Sequence, residues 1–117
     1  MENYNETFKK RTKQLALVII RLYGQWKKTH EIRIIGKQLI RSATSVAANY
    51  RAAIRARSMK EKYHKLCIVV EEADETVFWI ELLQESNLIP NYDFQDIIQE
   101  ANEIMKVMST YRSRLKR

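Results

Sequence analysis

Apolar side chains recur at helical spacing along almost the whole chain, and very little interrupts them. Phe8, Thr12, Leu15, Ile19, Leu22 and Trp26 stand three and four residues apart, which puts them on one side of a helix. The same spacing links Leu39, Ala43, Val46, Tyr50 and Ala53, then Leu66, Val69, Val70, Ala73, Val77, Ile80 and Leu83. A last stripe joins Phe94, Ile97, Ile98, Ala101, Ile104, Met105, Met108 and Leu115. Only 2 Gly and 1 Pro occur in 117 residues. A turn-rich all-β chain needs many more, because its turns depend on their backbone geometry. These patterns predict an all-α protein.

Start and stop signals divide it into four helices, about 5–28, 30–57, 59–87 and 93–115. Gly24 weakens the last turns of the first, and Lys27 and Lys28 suit a helix C-terminus. Thr29 is placed to cap the second, with Glu31 in its first turn. Ser58-Met59-Lys60-Glu61 has the capping-box pattern and restarts the chain as a third helix. Pro90 cannot continue a helix, so residues 87–91 form the clearest break. Asn91 or Asp93 then caps the fourth helix. Long helices with short connections predict a single domain over 1–117, an antiparallel up-down-up-down four-helix bundle. The alternative is a helical hairpin pair that completes its core only in a dimer.

Charge is segregated along the chain, whose net value is +7. Residues 1–65 carry 16 basic and 4 acidic side chains, residues 66–105 carry 10 acidic and no basic ones, and residues 106–117 carry 5 basic and no acidic ones. Chain reversal in such a bundle would gather cations from four windows at one pole. These are Lys9, Lys10, Arg11 and Lys13; Arg51, Arg55 and Arg57; Lys60, Lys62 and Lys65; and Arg112, Arg114, Lys116 and Arg117. Glu61 is the lone carboxylate within those windows. Glu81, Glu85, Asp93, Asp96 and Glu100 fall towards the other pole. A pole this basic repels itself unless a polyanion neutralises it, and phosphate backbones are the commonest such partner. RNA or DNA is therefore the expected partner, and an acidic protein the alternative. Tyr50, Tyr63 and Tyr111 lie near that pole, where aromatic rings can stack on unpaired bases. Tyr50 also belongs to the inner stripe, which favours a place in the core.

Two stretches are greasy at every azimuth: residues 15–20, and Val77-Phe78-Trp79-Ile80 with Leu82 and Leu83. A surface helix normally keeps a polar face. Leu17, Val18, Ile20, Phe78, Trp79 and Leu82 therefore point to self-association. Ser45, Ala48, Asn49, Ala52 and Ala56 align small residues on the second helix, which lets helix axes approach closely. Glu72 and Glu75 share a stripe with Ile68, Trp79 and Leu82. Arg41, Ser45 or Asn49 are the expected partners of those carboxylates.

Catalytic chemistry finds little to work with. Glu61 and His64 have the Glu-x-x-His spacing of di-iron bundles, but one copy among lysines is not a ligand set. Glu71, Glu72, Asp74 and Glu75 lack a helical His partner. His64 and Cys67 lie one turn apart without an orienting third group, and Cys67 between Leu66 and Ile68 reads as a packed thiol. One Cys excludes an intrachain disulfide and a Cys-rich zinc site. No Gly-rich phosphate loop, nucleophile elbow or His-Glu-x-x-His is present. No enzyme, metal, cofactor or small-molecule substrate is expected. The longest apolar run, residues 15–20, is far shorter than the roughly 20 residues of a membrane span. Without a secretory signal the expected compartment is the cytoplasm.

The string Arg41-Ser42-Ala43-Thr44-Ser45-Val46-Ala47-Ala48-Asn49-Tyr50-Arg51-Ala52-Ala53, then Arg57-Ser58, then Glu71-Glu72-Ala73-Asp74-Glu75, resembles the bacterial four helix bundle protein family, also called the 23S rRNA intervening-sequence protein family. The resemblance covers nearly the whole chain. Many members have Gly where Ala53 stands, and Ala there favours continuing the helix. The resemblance implies a four-helix subunit assembled as a cyclic homopentamer. It also implies kinship with proteins encoded within insertions of large-subunit ribosomal RNA genes. A structurally similar protein is the nucleic-acid-binding accessory factor of diversity-generating retroelements. No enzymatic activity is established for the family.

Overall fold

A computed structural model of the protein describes residues 2–115. Four α-helices account for most of them: α1 Glu2–Gln25, α2 His30–Ile54, α3 Met59–Ser86 and α4 Gln95–Leu115. No strand occurs among the described residues. The molecule is 44 Å long, close to the roughly 42 Å that the 28 residues of α3 span at helical rise.

The helix starts follow their capping residues. Thr29 is extended, and its hydroxyl accepts the Ile32 N–H at 3.2 Å. Ser58 accepts the Glu61 N–H at 3.0 Å. The return half of the box is displaced by one residue, since the Glu61 carboxylate accepts from the Arg57 N–H at 3.2 Å. Asp93, rather than Asn91, opens α4 by accepting the Gln95 N–H at 3.0 Å.

The helix ends differ more from expectation. α1 stops at Gln25, so Lys27 and Lys28 lie beyond it. The Lys28 ammonium still serves that terminus, donating to the Trp26 carbonyl at 2.7 Å and lying 4.7 Å from the Tyr23 ring centroid. α2 stops at Ile54. Its last turn tightens as the Arg55 N–H reaches the Ala52 carbonyl at 3.2 Å and Ala56 the Ala53 carbonyl at 3.2 Å, which frees the chain for the Ser58 cap. α3 ends on Asn87, whose left-handed backbone (φ 59°, ψ 27°) closes the helix three residues before Pro90.

Buried side chains from all four helices form one cluster, with Ile19, Leu39, Tyr50, Leu66, Ile80, Leu83, Ile104 and Met108 almost fully enclosed. α2 packs on α1 and α3, α4 packs on α3, and the α1–α4 contact is the sparsest. Besides Thr12, which belongs to the first stripe, two polar residues outside the expected stripes are buried in this core. The Ser42 and Thr76 hydroxyls stand 2.9 Å apart between α2 and α3. Ser42 donates to the Leu39 carbonyl at 3.1 Å, and the Thr76 proton is shared between Ser42 and the Glu72 carbonyl at 2.8 Å. Both groups are thereby satisfied, which makes their burial tolerable. Gly36 is buried on α2 because a Cβ there would run into the edge of the Tyr23 ring on α1.

Candidate nucleic-acid interface

Side-chain contacts tie several helix ends together. Tyr50 on the last turns of α2 donates to Asn5 Oδ1 on the first turn of α1 at 3.2 Å. Tyr4 and Tyr111 meet edge to face with centroids 6.1 Å apart, joining the start of α1 to the end of α4. The Lys62 ammonium, near the start of α3, lies 5.3 Å from the Tyr111 ring centroid. Tyr50 is fully enclosed, so it packs and does not offer a ring for stacking. Burial, reinforced by Tyr111, Tyr4 and Glu6, pushes its phenol above the ordinary range. Tyr4 is raised too, mainly by burial, against the lowering influence of Arg114.

The expected cations surround these contacts unevenly. Lys10, Lys13, Arg51, Arg55, Arg57, Lys60 and Arg114 are exposed. Lys9, Lys62, Lys65 and Arg112 are half-buried. Arg57 approaches Glu61 at 3.8 Å, and Lys9 approaches Glu6 at 4.0 Å. Lys116 and Arg117 lie outside the described residues.

Arg11 departs from the expected set. Its guanidinium makes a two-pronged pair with Glu100 (Nε–Oε2 2.9 Å, Nη2–Oε1 2.7 Å) and reaches Glu103 Oε1 at 2.6 Å. The hydrogen bond to Glu100 leads in holding its proton more tightly than usual. Residue 11 sits about two and a half turns into α1, and the long side chain extends across to the carboxylates of α4. Glu61 is therefore not the lone carboxylate facing these cations.

The expected inter-helix polar set is half assembled. Arg41 Nη2 pairs with Glu75 Oε1 at 2.6 Å and with Glu72 Oε1 at 3.4 Å, linking α2 to α3. Asn49 instead turns back along its own helix, donating to the Ser45 carbonyl and hydroxyl at 3.0 Å each. An amide one turn after a Ser finds both acceptors locally and needs no neighbour.

The greasy positions divide by face. Ile20 and Phe78 remain 43% and 48% exposed. Leu17, Val18, Trp79 and Leu82 are half-buried. Leu17 and Ile20 line a groove of about 310 Å³ between α1 and α2, floored by Ala16, Thr44, Ala47 and Ala48 and edged by Lys9, Lys13 and Arg51. Val18 faces a different groove, with Leu15, Arg11 and the α4 residues Asp96, Ile97 and Glu100. No group of three His, Cys, Asp or Glu side chains suited to a metal ion occurs among the described residues. No described helix is long and apolar enough to cross a membrane.

The fold thus defines an all-α protein of four helices with a basic corner at its α2–α3 connection. The model for the 23S rRNA-intervening sequence protein family matches residues 5–110, and the chain belongs to that family. A crystal structure of a protein of unknown function from the S23 ribosomal protein family, from Bacteroides thetaiotaomicron, is similar throughout. It has a TM-score of 0.81 at 31% identity, over 93% of this chain and 97% of that one. No curated protein matches the chain.

Proposed function

We propose that the four helices alternate in direction, and that the protein is a non-enzymatic, self-associating helical bundle that binds RNA through the end where Tyr4, Tyr50 and Tyr111 meet. The family description, a 23S rRNA-intervening sequence protein, agrees with an RNA-related role. The observation that carries the reading is the α2–α3 corner. Arg55, Arg57 and Lys60 are all exposed within six residues, and only Glu61 approaches them, at 3.8 Å from Arg57. Lys10 and Arg114 are exposed and make no ion pair among the described residues. Such cations attract phosphates without reading bases, so binding is phosphate-driven and weakly sequence-specific.

Titrating labelled RNA at several salt concentrations tests this. Affinity should fall with salt, the logarithmic slope steepening by about 0.7 per phosphate neutralised on a single strand. Replacing Arg55, Arg57 and Lys60 together by Glu should abolish binding while helicity stays intact. Binding that ignores salt, or survives that triple replacement, rejects the interface. A stoichiometric acidic protein in place of nucleic acid in material purified from untreated lysate would also reject it.

A further inference from the structure

Exposed aromatic rings are scarce on this molecule, and they stand in opposite fields. Among the described residues only Tyr4 and Phe78 are exposed rings, at 40% and 48%. The helical neighbours of Phe78 three and four residues away are Asp74, Glu75, Glu81 and Leu82, a setting that repels phosphates. Tyr4 stands among cations instead. The Lys62 ammonium lies 5.3 Å from the centroid of Tyr111, the ring that meets Tyr4 edge to face. Arg114 is exposed and close enough to favour the Tyr4 phenolate. Glu6, the next carboxylate along α1, has Lys9 at 4.0 Å. The Tyr4 ring is also held in place. It packs on Phe8 with centroids 5.1 Å apart, and Phe8 is itself buried, with the Arg11 guanidinium 4.7 Å from its centroid.

From this juxtaposition of an exposed, braced ring with cations we infer that Tyr4 is a stacking platform for an unpaired base, and that the RNA this end takes is single-stranded. Bases inside a duplex have both faces covered by their neighbours, so an exposed ring gains nothing from them. A single strand can splay a base out onto a ring. Cations that follow the backbone, beside an aromatic side chain that receives a base, are the working parts of single-strand binding. Tyr50 is enclosed, and the half-buried Tyr111 already carries Lys62. Those two rings tie the helix ends together, and Tyr4 is the one that faces outwards. Because Phe8 and Tyr111 already fix it, little side-chain freedom is lost when a base lands. Every base has a π-face, so stacking adds a preference for unpaired strands without adding a sequence preference. This inference rests on the proposed RNA reading, and adds to it a contact that carries no charge.

Titrating the full-length protein against a single-stranded RNA carrying 2-aminopurine, and against a blunt duplex of the same length, tests this. Tyr4→Phe keeps the ring and Tyr4→Leu removes it. Neither changes the net charge, and circular dichroism checks that each variant is folded. Wild type and Tyr4→Phe should quench the 2-aminopurine fluorescence on binding. Tyr4→Leu should lose that quenching and bind the single strand about 5- to 150-fold more weakly, the range for one stacked base. Its duplex affinity, and its salt slope on either RNA, should match those of wild type, because no phosphate contact has gone. Unchanged single-strand affinity, equal losses on both RNAs, or a Tyr4→Phe variant as weak as Tyr4→Leu overturns the stacking and leaves the phosphate-driven reading standing. Binding that ignores salt, or survives the triple replacement of Arg55, Arg57 and Lys60, overturns that reading and this one with it.

Discussion

Gly36 and Gly24 show how differently one residue type acts on two helices. Gly36 sits where the Tyr23 ring crosses α2, whereas nothing lies within 4 Å of a Cβ built at Gly24. Gly36→Ala must displace a ring that also packs against Trp26 and Lys28, and should cost about 1–3 kcal/mol. Gly24→Ala only removes backbone freedom from the unfolded chain and should add about 0.5–1 kcal/mol. Urea melts of both variants check this, and equal signs for the two would contradict the packing described. Tyr50 gives a second test. Its folded-state pKa lies above the ordinary 10.0 because burial disfavours the phenolate. Below pH 10 both states hold the proton and its contribution is complete. As pH rises past 10 the unfolded chain loses that proton first, so stability falls. Tyr50→Phe removes this loss, along with the bond to Asn5, which is worth about 0.5–1.5 kcal/mol. The gap between wild type and variant should be largest near neutrality and shrink by about pH 11, as read from urea midpoints at the two pH values.

Between elements, α1 and α4 make the sparsest contact, and Arg11 spans it with ion pairs to Glu100 and Glu103. A two-pronged pair that is about one-third exposed stands at the upper end of surface ion pairs, so a double-mutant cycle of Arg11→Met and Glu100→Gln should give a coupling of about 1 kcal/mol, falling with salt. A coupling near zero would mean that apolar packing alone holds α1 against α4. This pair also marks where sequence reasoning stops. The helices and the caps at Thr29 and Ser58 were legible, because stripe spacing and capping depend on residues within one turn of each other. The ends at Gln25 and Ile54 were not, since neither helix has a Gly or Asn in the position just after its last residue, and such a helix ends where its neighbours and the next cap allow. Asn87 had the signal, an αL-tolerant residue just after an apolar stripe, although Pro90 looked the stronger stop. Arg11–Glu100 spans 89 residues and depends on the relative heights of two helices, which no local pattern records. The burial of Ser42 and Thr76 was likewise hidden, because hydroxyls next to a stripe look the same in sequence whether or not they meet.

For the molecule as a whole, the question is whether assembly and charge act together. In the proposed bundle the cations of residues 55–60 lie at one end of a 44 Å body, and Ile20 and Phe78 leave apolar side chains exposed for self-association. A cyclic arrangement keeps every basic end on the same side, so one RNA can engage several subunits at once. Linking sites in this way multiplies phosphate contacts without adding any new kind of contact. The assembled protein should therefore bind RNA with a steeper salt dependence than its monomer, because each added subunit contributes further counterion release. Two variants at exposed apolar positions expected to serve self-association, Phe78→Lys and Ile20→Glu, make a controlled comparison. Phe78→Lys raises the net charge by one and Ile20→Glu lowers it by one, so a change in slope shared by both reflects lost assembly and not altered charge. Both should bind more weakly than wild type and with a shallower slope. Each should still bind better than the triple replacement of Arg55, Arg57 and Lys60. Slopes equal to that of wild type in both monomers would mean that each basic end works alone, and that self-association serves something other than gathering cations onto one face.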